Sequence, residues 1–138
     1  MTVRIVRLGS KRIPGEGARL GTVRRPPRGV AKKDFARLDW YDAWFPVLAP
    51  SVPTMKLGLA SQDPKPGAAA AAARKWAAFA RRFRAEMRAP VARQALETLA
   101  VLSRHGNFSV GCYCEDESRC HRSLLRGLLA EHGANIAP

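Results

Sequence analysis

All three cysteines of the chain fall within residues 108–123, Phe-Ser-Val-Gly-Cys-Tyr-Cys-Glu-Asp-Glu-Ser-Arg-Cys-His-Arg-Ser. The same stretch holds Glu115, Asp116 and Glu117, Arg119 and Arg122, and His121, one of three histidines. Thiolates and an imidazole can hold a zinc ion. A cysteine beside cationic groups can ionise and act as a nucleophile. Arginines can grip a phosphate or carboxylate through paired bonds. Apolar alternation over 108–114 predicts a strand, and Leu124, Leu125, Leu128 and Leu129 predict a helix over 118–132, stopped by Gly133. The reactive side chains therefore stand between a strand end and a helix start, where unpaired N–H groups favour anions.

Three chemistries compete for these residues. Cys112, Cys114, Cys120 and His121 form a chemically suitable zinc set. Regular geometry opposes it, because Cβ atoms two apart on a strand are separated by roughly 6–7 Å. Adjacent residues on a helix point about 100° apart, which would separate Cys120 from His121. No cofactor is predicted on this reading, and zinc is kept as the alternative. The second chemistry makes Cys120 a nucleophile whose thiol pKa is lowered by the helix start and by Arg119 and Arg122. His121 then serves as acid or base and Glu115 as a general acid/base or cation holder. The third is structural, with Cys112 in the core. A cradle of cysteine, five residues and arginine is excluded, since four residues separate Cys114 from Arg119.

The elements that must position this stretch are legible along the chain. Residues 2–8 and 18–25 read as strands, the second ended by Pro26 and Pro27. Residues 34–38 read as a short helix, 40–48 as a short strand or extended segment, and 51–59 as a helix. A Pro/Gly linker over 61–67 follows. Six alanines at 68–73 start a helix whose apolar stripe is Trp76, Phe79, Ala80, Phe83 and Met87. Pro90 opens another helix, with Leu96, Leu99, Ala100 and Leu102 expected to face inward and His105 on the surface.

At 138 residues the chain reads as a single domain over residues 1–138. Its formal charge is +13, with eleven Lys/Arg in residues 1–37 and seven in 74–93. That excess fits attraction to nucleic acid or another polyanion, and also a compositional bias in a chain rich in arginine, alanine, glycine and proline. No stretch approaches the roughly 18–20 apolar residues of a membrane span. No export signal is evident, so three cysteines predict reduced thiols in a cytoplasmic protein.

The pattern Cys112, seven residues, Cys120-His121-Arg122 resembles the DUF488 family. Leu-Gly-Thr-Val-Arg-Arg-Pro-Pro-Arg-Gly over residues 20–29 resembles its second signature, a strand running into arginine and then Pro-Arg. Lys11-Arg12-Ile13 and Trp-Phe-Pro-Val-Leu-Ala-Pro-Ser over 44–51 look like the YeaO-like branch. Cys114 stands where members place an acidic residue, and Glu115 follows one position later. The resemblance implies a site made of Arg24, Arg28, Cys120, His121 and Arg122. The family carries no assigned activity, so no reaction is implied. The expected fold is a three-layer α/β domain with a mostly parallel sheet of about four strands. The expected substrate is a small anion of phosphate or nucleotide type, bound by Arg24, Arg28 and Arg122.

Overall fold

In the computed structural model, which describes residues 1–63 and 65–138, four strands form one sheet in the order β1-β4-β2-β3. They are β1 (Val3–Arg7), β2 (Ala18–Gly21), β3 (Ala43–Trp44) and β4 (Phe108–Cys112). Every pairing is parallel. The central strand β4 matches Val3↔Phe108 through Arg7↔Cys112 on one side and Ala18↔Phe108 through Gly21↔Gly111 on the other.

All five residues of β4 are buried, as expected of a strand paired on both edges and covered on both faces. Gly111 is the residue that close packing demands there. A Cβ at that position would lie 2.6 Å from the Val6 carbonyl oxygen.

Helices α1 (Val52–Ala60), α2 (Ala69–Glu86), α3 (Pro90–Leu102) and α4 (His121–Glu131) complete the fold. Val3, Ile5, Phe108 and Val110 pack one sheet face against Phe79 and Phe83 of α2, Leu96 and Leu99 of α3, and Leu125 and Leu129 of α4. The other face carries Val6 and Leu8 against Val23, Tyr41, Phe35 and Trp40. These two coverings and the sheet are the three layers expected. No helix among the described residues is long and apolar enough to cross a membrane.

Several boundaries differ from the sequence expectation. β2 stops at Gly21, because Thr22 turns both its N–H and its hydroxyl onto the Gly111 carbonyl and the chain then leaves the sheet. The segment expected as a helix over 34–38 is a single 3₁₀ turn, Lys32–Asp34, followed by turns. The linker expected over 61–67 includes Pro64, which lies outside the described residues. Leu102 is 49% exposed, contrary to expectation. Steps of 100° put Ser103, fully buried, on the inward face beside Leu96, Leu99 and Ala100 instead.

The burial of Ser103 carries no penalty, since its hydroxyl donates to the Ala100 carbonyl and accepts from the Asn135 N–H. Much of the N-terminal charge is likewise structural. Arg19, fully buried, makes a two-bond pair with Glu16 at 2.9 and 3.1 Å and also donates to the Ser10 and Asp39 carbonyls. Glu16 in turn accepts from Ser109 of the central strand at 2.9 Å.

Candidate functional site at the C-terminal edge of the sheet

In a parallel sheet all strands end on the same edge. Here the loops after Arg7, Gly21 and Cys112 meet and enclose a cavity of about 750 Å³. Its wall includes Cys112, Cys114, Cys120 and His121, which the sequence grouped, and Arg24 and Arg28 from the second motif. The two motifs, about ninety residues apart, share one pocket because β2 and β4 are hydrogen-bonded neighbours.

The loop after β4 departs from regular structure at each step that opposed a shared cysteine site. The strand ends at Cys112, the chain bends, and the Cys112 and Cys114 sulfurs approach to 3.9 Å. Asp116 accepts from the Ser118 N–H at 2.9 Å and from its hydroxyl at 2.6 Å, closing a turn that leads into a 3₁₀ segment, Glu117–Arg119. Helix α4 therefore starts at His121, three residues later than expected, and Cys120 precedes it in extended conformation (φ −125°, ψ 149°). Its sulfur comes within 3.8 Å of His121 Nδ1. Cys112, Cys120 and His121 place their ligating atoms within 4.8 Å of one another.

Hydrogen bonds from Cys112 and Cys120, and from the Gln62 amide, hold Cys114 well below the ordinary thiol range. Donating to Cys114 pushes Cys112 up to about 11, and bonding to both neighbours pushes Cys120 up. The depression expected at Cys120 falls on Cys114, because Cys120 is 2% exposed and surrounded by sulfur. His121 stands edge-on to Phe83 and has its Nε2 2.6 Å from the Thr22 carbonyl oxygen. A carbonyl only accepts, so Nε2 carries a proton and Nδ1 is the ring nitrogen that faces Cys120.

The remaining predicted residues separate. Arg28 is exposed on the cavity rim. Arg24 lines the cavity but spends its guanidinium on the Pro46, Ala49 and Pro50 carbonyls, pinning the segment before α1. Arg122 is 4% exposed and is not part of the cavity wall. It donates to the Cys114 carbonyl at 2.6 Å, and its Nε has no partner. Glu115 points to solvent, 85% exposed, and pairs with Arg7 at 3.5 Å outside the cavity. Glu117 is bound twice by Arg126 at 2.9 Å, so Arg24 and Arg28 do not pair with the acidic run.

Sequence reasoning named Arg119 beside Cys120 but missed Arg7, Arg25, Trp40, Tyr113 and Gln62 as wall residues. Arg25 and Tyr113 are chain neighbours of predicted residues and were within reach of a wider reading. Nothing local marks Trp40 or Gln62. The Trp40 ring lies over Gly9, whose φ of +91° and lack of a side chain admit it.

The chain matches the model of family DUF488-N3a, described as the active DUF488-N3 subclade, over residues 3–133. The match does not extend to naming the YeaO-like branch. No curated protein and no solved structure is significantly similar to the chain.

Proposed function

Since the chain belongs to the DUF488 family, we propose its role from the cavity: it binds a small anionic ligand of nucleotide type. The observation that carries this is the composition of the wall. Arg7, Arg24, Arg25, Arg28 and Arg119 line it, and no carboxylate does among the described residues. An anion there meets positive charge with no carboxylate on the wall itself, Glu115 engaging only Arg7 from outside.

Arg25 and Arg28 have no hydrogen bond from their guanidinium groups among the described residues, so both are free to bind. Trp40 and Tyr113 meet edge to face with ring centroids 5.7 Å apart, beside Val23, Met55 and Leu59. That surface suits a flat ring attached to the anion. Cys114 is the half-buried sulfur on the wall, and it is the thiol such a ligand would meet.

The test is calorimetric titration with nucleoside mono- and diphosphates and with inorganic phosphate. Saturable binding is expected, weakened about tenfold or more by Arg28→Ala, since a charge-assisted bond contributes about 1.5–3 kcal/mol. Trp40→Ala should weaken nucleotides and spare inorganic phosphate. The absence of saturable binding, or affinity unchanged by Arg28→Ala, would sink the proposal.

A second reading, nucleic-acid binding, is favoured by one separate observation. Arg74, Lys75, Arg81, Arg82 and Arg88, on and just beyond α2, are exposed, and none makes an ion pair among the described residues.

A further inference from the structure

We propose that Cys112, Cys114, Cys120 and His121 hold a zinc ion at the floor of the cavity. The proposal stands independently of the anion reading. A tetrahedral ion with Zn–S bonds of about 2.3 Å needs ligand atoms roughly 3.8 Å apart. The Cys112 and Cys114 sulfurs are 3.9 Å apart, and the Cys120 sulfur is 3.8 Å from His121 Nδ1. The triad Cys112, Cys120 and His121 is already within mutual reach and buried. Cys114 lies outside that mutual reach; its sulfur, 3.9 Å from that of Cys112, would swing inward to take the fourth position.

Two observations beyond the spacing point to an ion. The first is the imidazole. Its Nε2–H bond to the Thr22 carbonyl, at 2.6 Å, fixes the tautomer and aims Nδ1 at the sulfurs, the arrangement found behind metal-bound histidine. The second is Arg122. A guanidinium 4% exposed, with an unpartnered Nε and no carboxylate in ion-pair contact among the described residues, is costly to bury. Three thiolates around a divalent ion carry one net negative charge, and Arg122, bonded to the Cys114 carbonyl, stands beside it.

The ligand set selects the metal. Thiolate and imidazole favour zinc over magnesium or calcium, which take oxygen ligands. S–H groups are weak donors, so two buried thiols and one half-buried one would alone hold the 113–120 loop poorly. Zinc would fasten that loop to the end of β4 and the start of α4, fixing the cavity wall.

The experiment uses the full chain, purified without a metal-affinity column or chelator. Elemental mass spectrometry is expected to find one zinc per chain, and thiol titration of the native protein to find its cysteines protected until a chelator is added. Exchange of zinc for cobalt should give the absorption of a tetrahedral thiolate site, with sulfur-to-cobalt charge transfer. Cys120→Ser should abolish stoichiometric metal, while Leu59→Ala, on the same wall, should keep it. A folded wild-type chain that takes up neither zinc nor cobalt and shows three freely titrating thiols would overturn the proposal. Metal retained in a Cys112→Ser/Cys120→Ser double variant would overturn it too. The wild-type measurements decide the matter even where a cysteine variant fails to fold.

Discussion

Glu16 and Arg19 show how much a single charge can matter when it is taken out of water. Arg19 is fully enclosed, and Glu16 satisfies two of its N–H groups while accepting from Ser109. Burial pushes the Glu16 carboxyl up, but bonds from Arg19 and Ser109 outweigh it and hold the group below its ordinary range. A carboxyl lowered on folding stabilises the fold above its unfolded pKa of about 4.3, and that stability is lost as pH falls through the lower folded value. Glu16→Gln should therefore cost about 3–5 kcal/mol at neutral pH, because it strands a buried guanidinium. In urea unfolding, the gap from wild type should narrow as pH drops below the carboxylate range. At this scale the sequence was half readable. The spacing of the two charges was visible, whereas their burial against Ser109, ninety residues on, was not.

At the scale of elements, of the four helix starts only that of α4 was misplaced by more than a residue. Proline and the alanine run located α2 and α3 to within a residue or two, since those signals act through the local backbone. The start of α4 was misplaced because Asp116 and Ser118, which resemble a helix cap, instead cap a 3₁₀ turn. That displacement released Cys120 from the helix and brought the sulfurs together, so the same error hid the geometry of the site. The start of α1 depends on a distant partner as well. Glu86, the last residue of α2, accepts from the Ser51 N–H at 2.8 Å, the Ser51 hydroxyl at 2.7 Å and the Thr54 hydroxyl at 2.6 Å. It caps α1 and ties it to α2. Glu86→Ala is expected to cost about 1–2 kcal/mol, the scale of a lost helix cap. Thermal melts would register it, and the equivalent change at exposed Glu97 should leave them unmoved.

Over the whole molecule the +13 charge divides into two populations. Arg12, Arg19, Arg24 and Arg126 are spent on carboxylates and carbonyls within the fold. In α2, Arg84 pairs with Glu131, whereas Arg74, Lys75, Arg81 and Arg82 face water. If the latter bind nucleic acid, anisotropy with a labelled oligonucleotide should show affinity falling steeply as salt rises. Arg81→Gln with Arg82→Gln should reduce the log–log slope by about 2, and Cys120→Ser should leave it alone. A slope untouched by the double substitution would remove α2 from any such interface. Composition predicted the overall charge, while only the packing distinguished its two uses.

The strand order β1-β4-β2-β3 also has a consequence in time. β4 occupies the gap between β1 and β2, yet it begins only at Phe108. During synthesis the first hundred residues contain three strands but lack the one that joins β1 to the others. Pairing of β1 must wait for the C-terminal part, a loop closure of about a hundred residues that slows folding. The cavity thus comes into being only after the other strands are made, and a nascent chain has no pocket to fill until residues 108–123 have emerged.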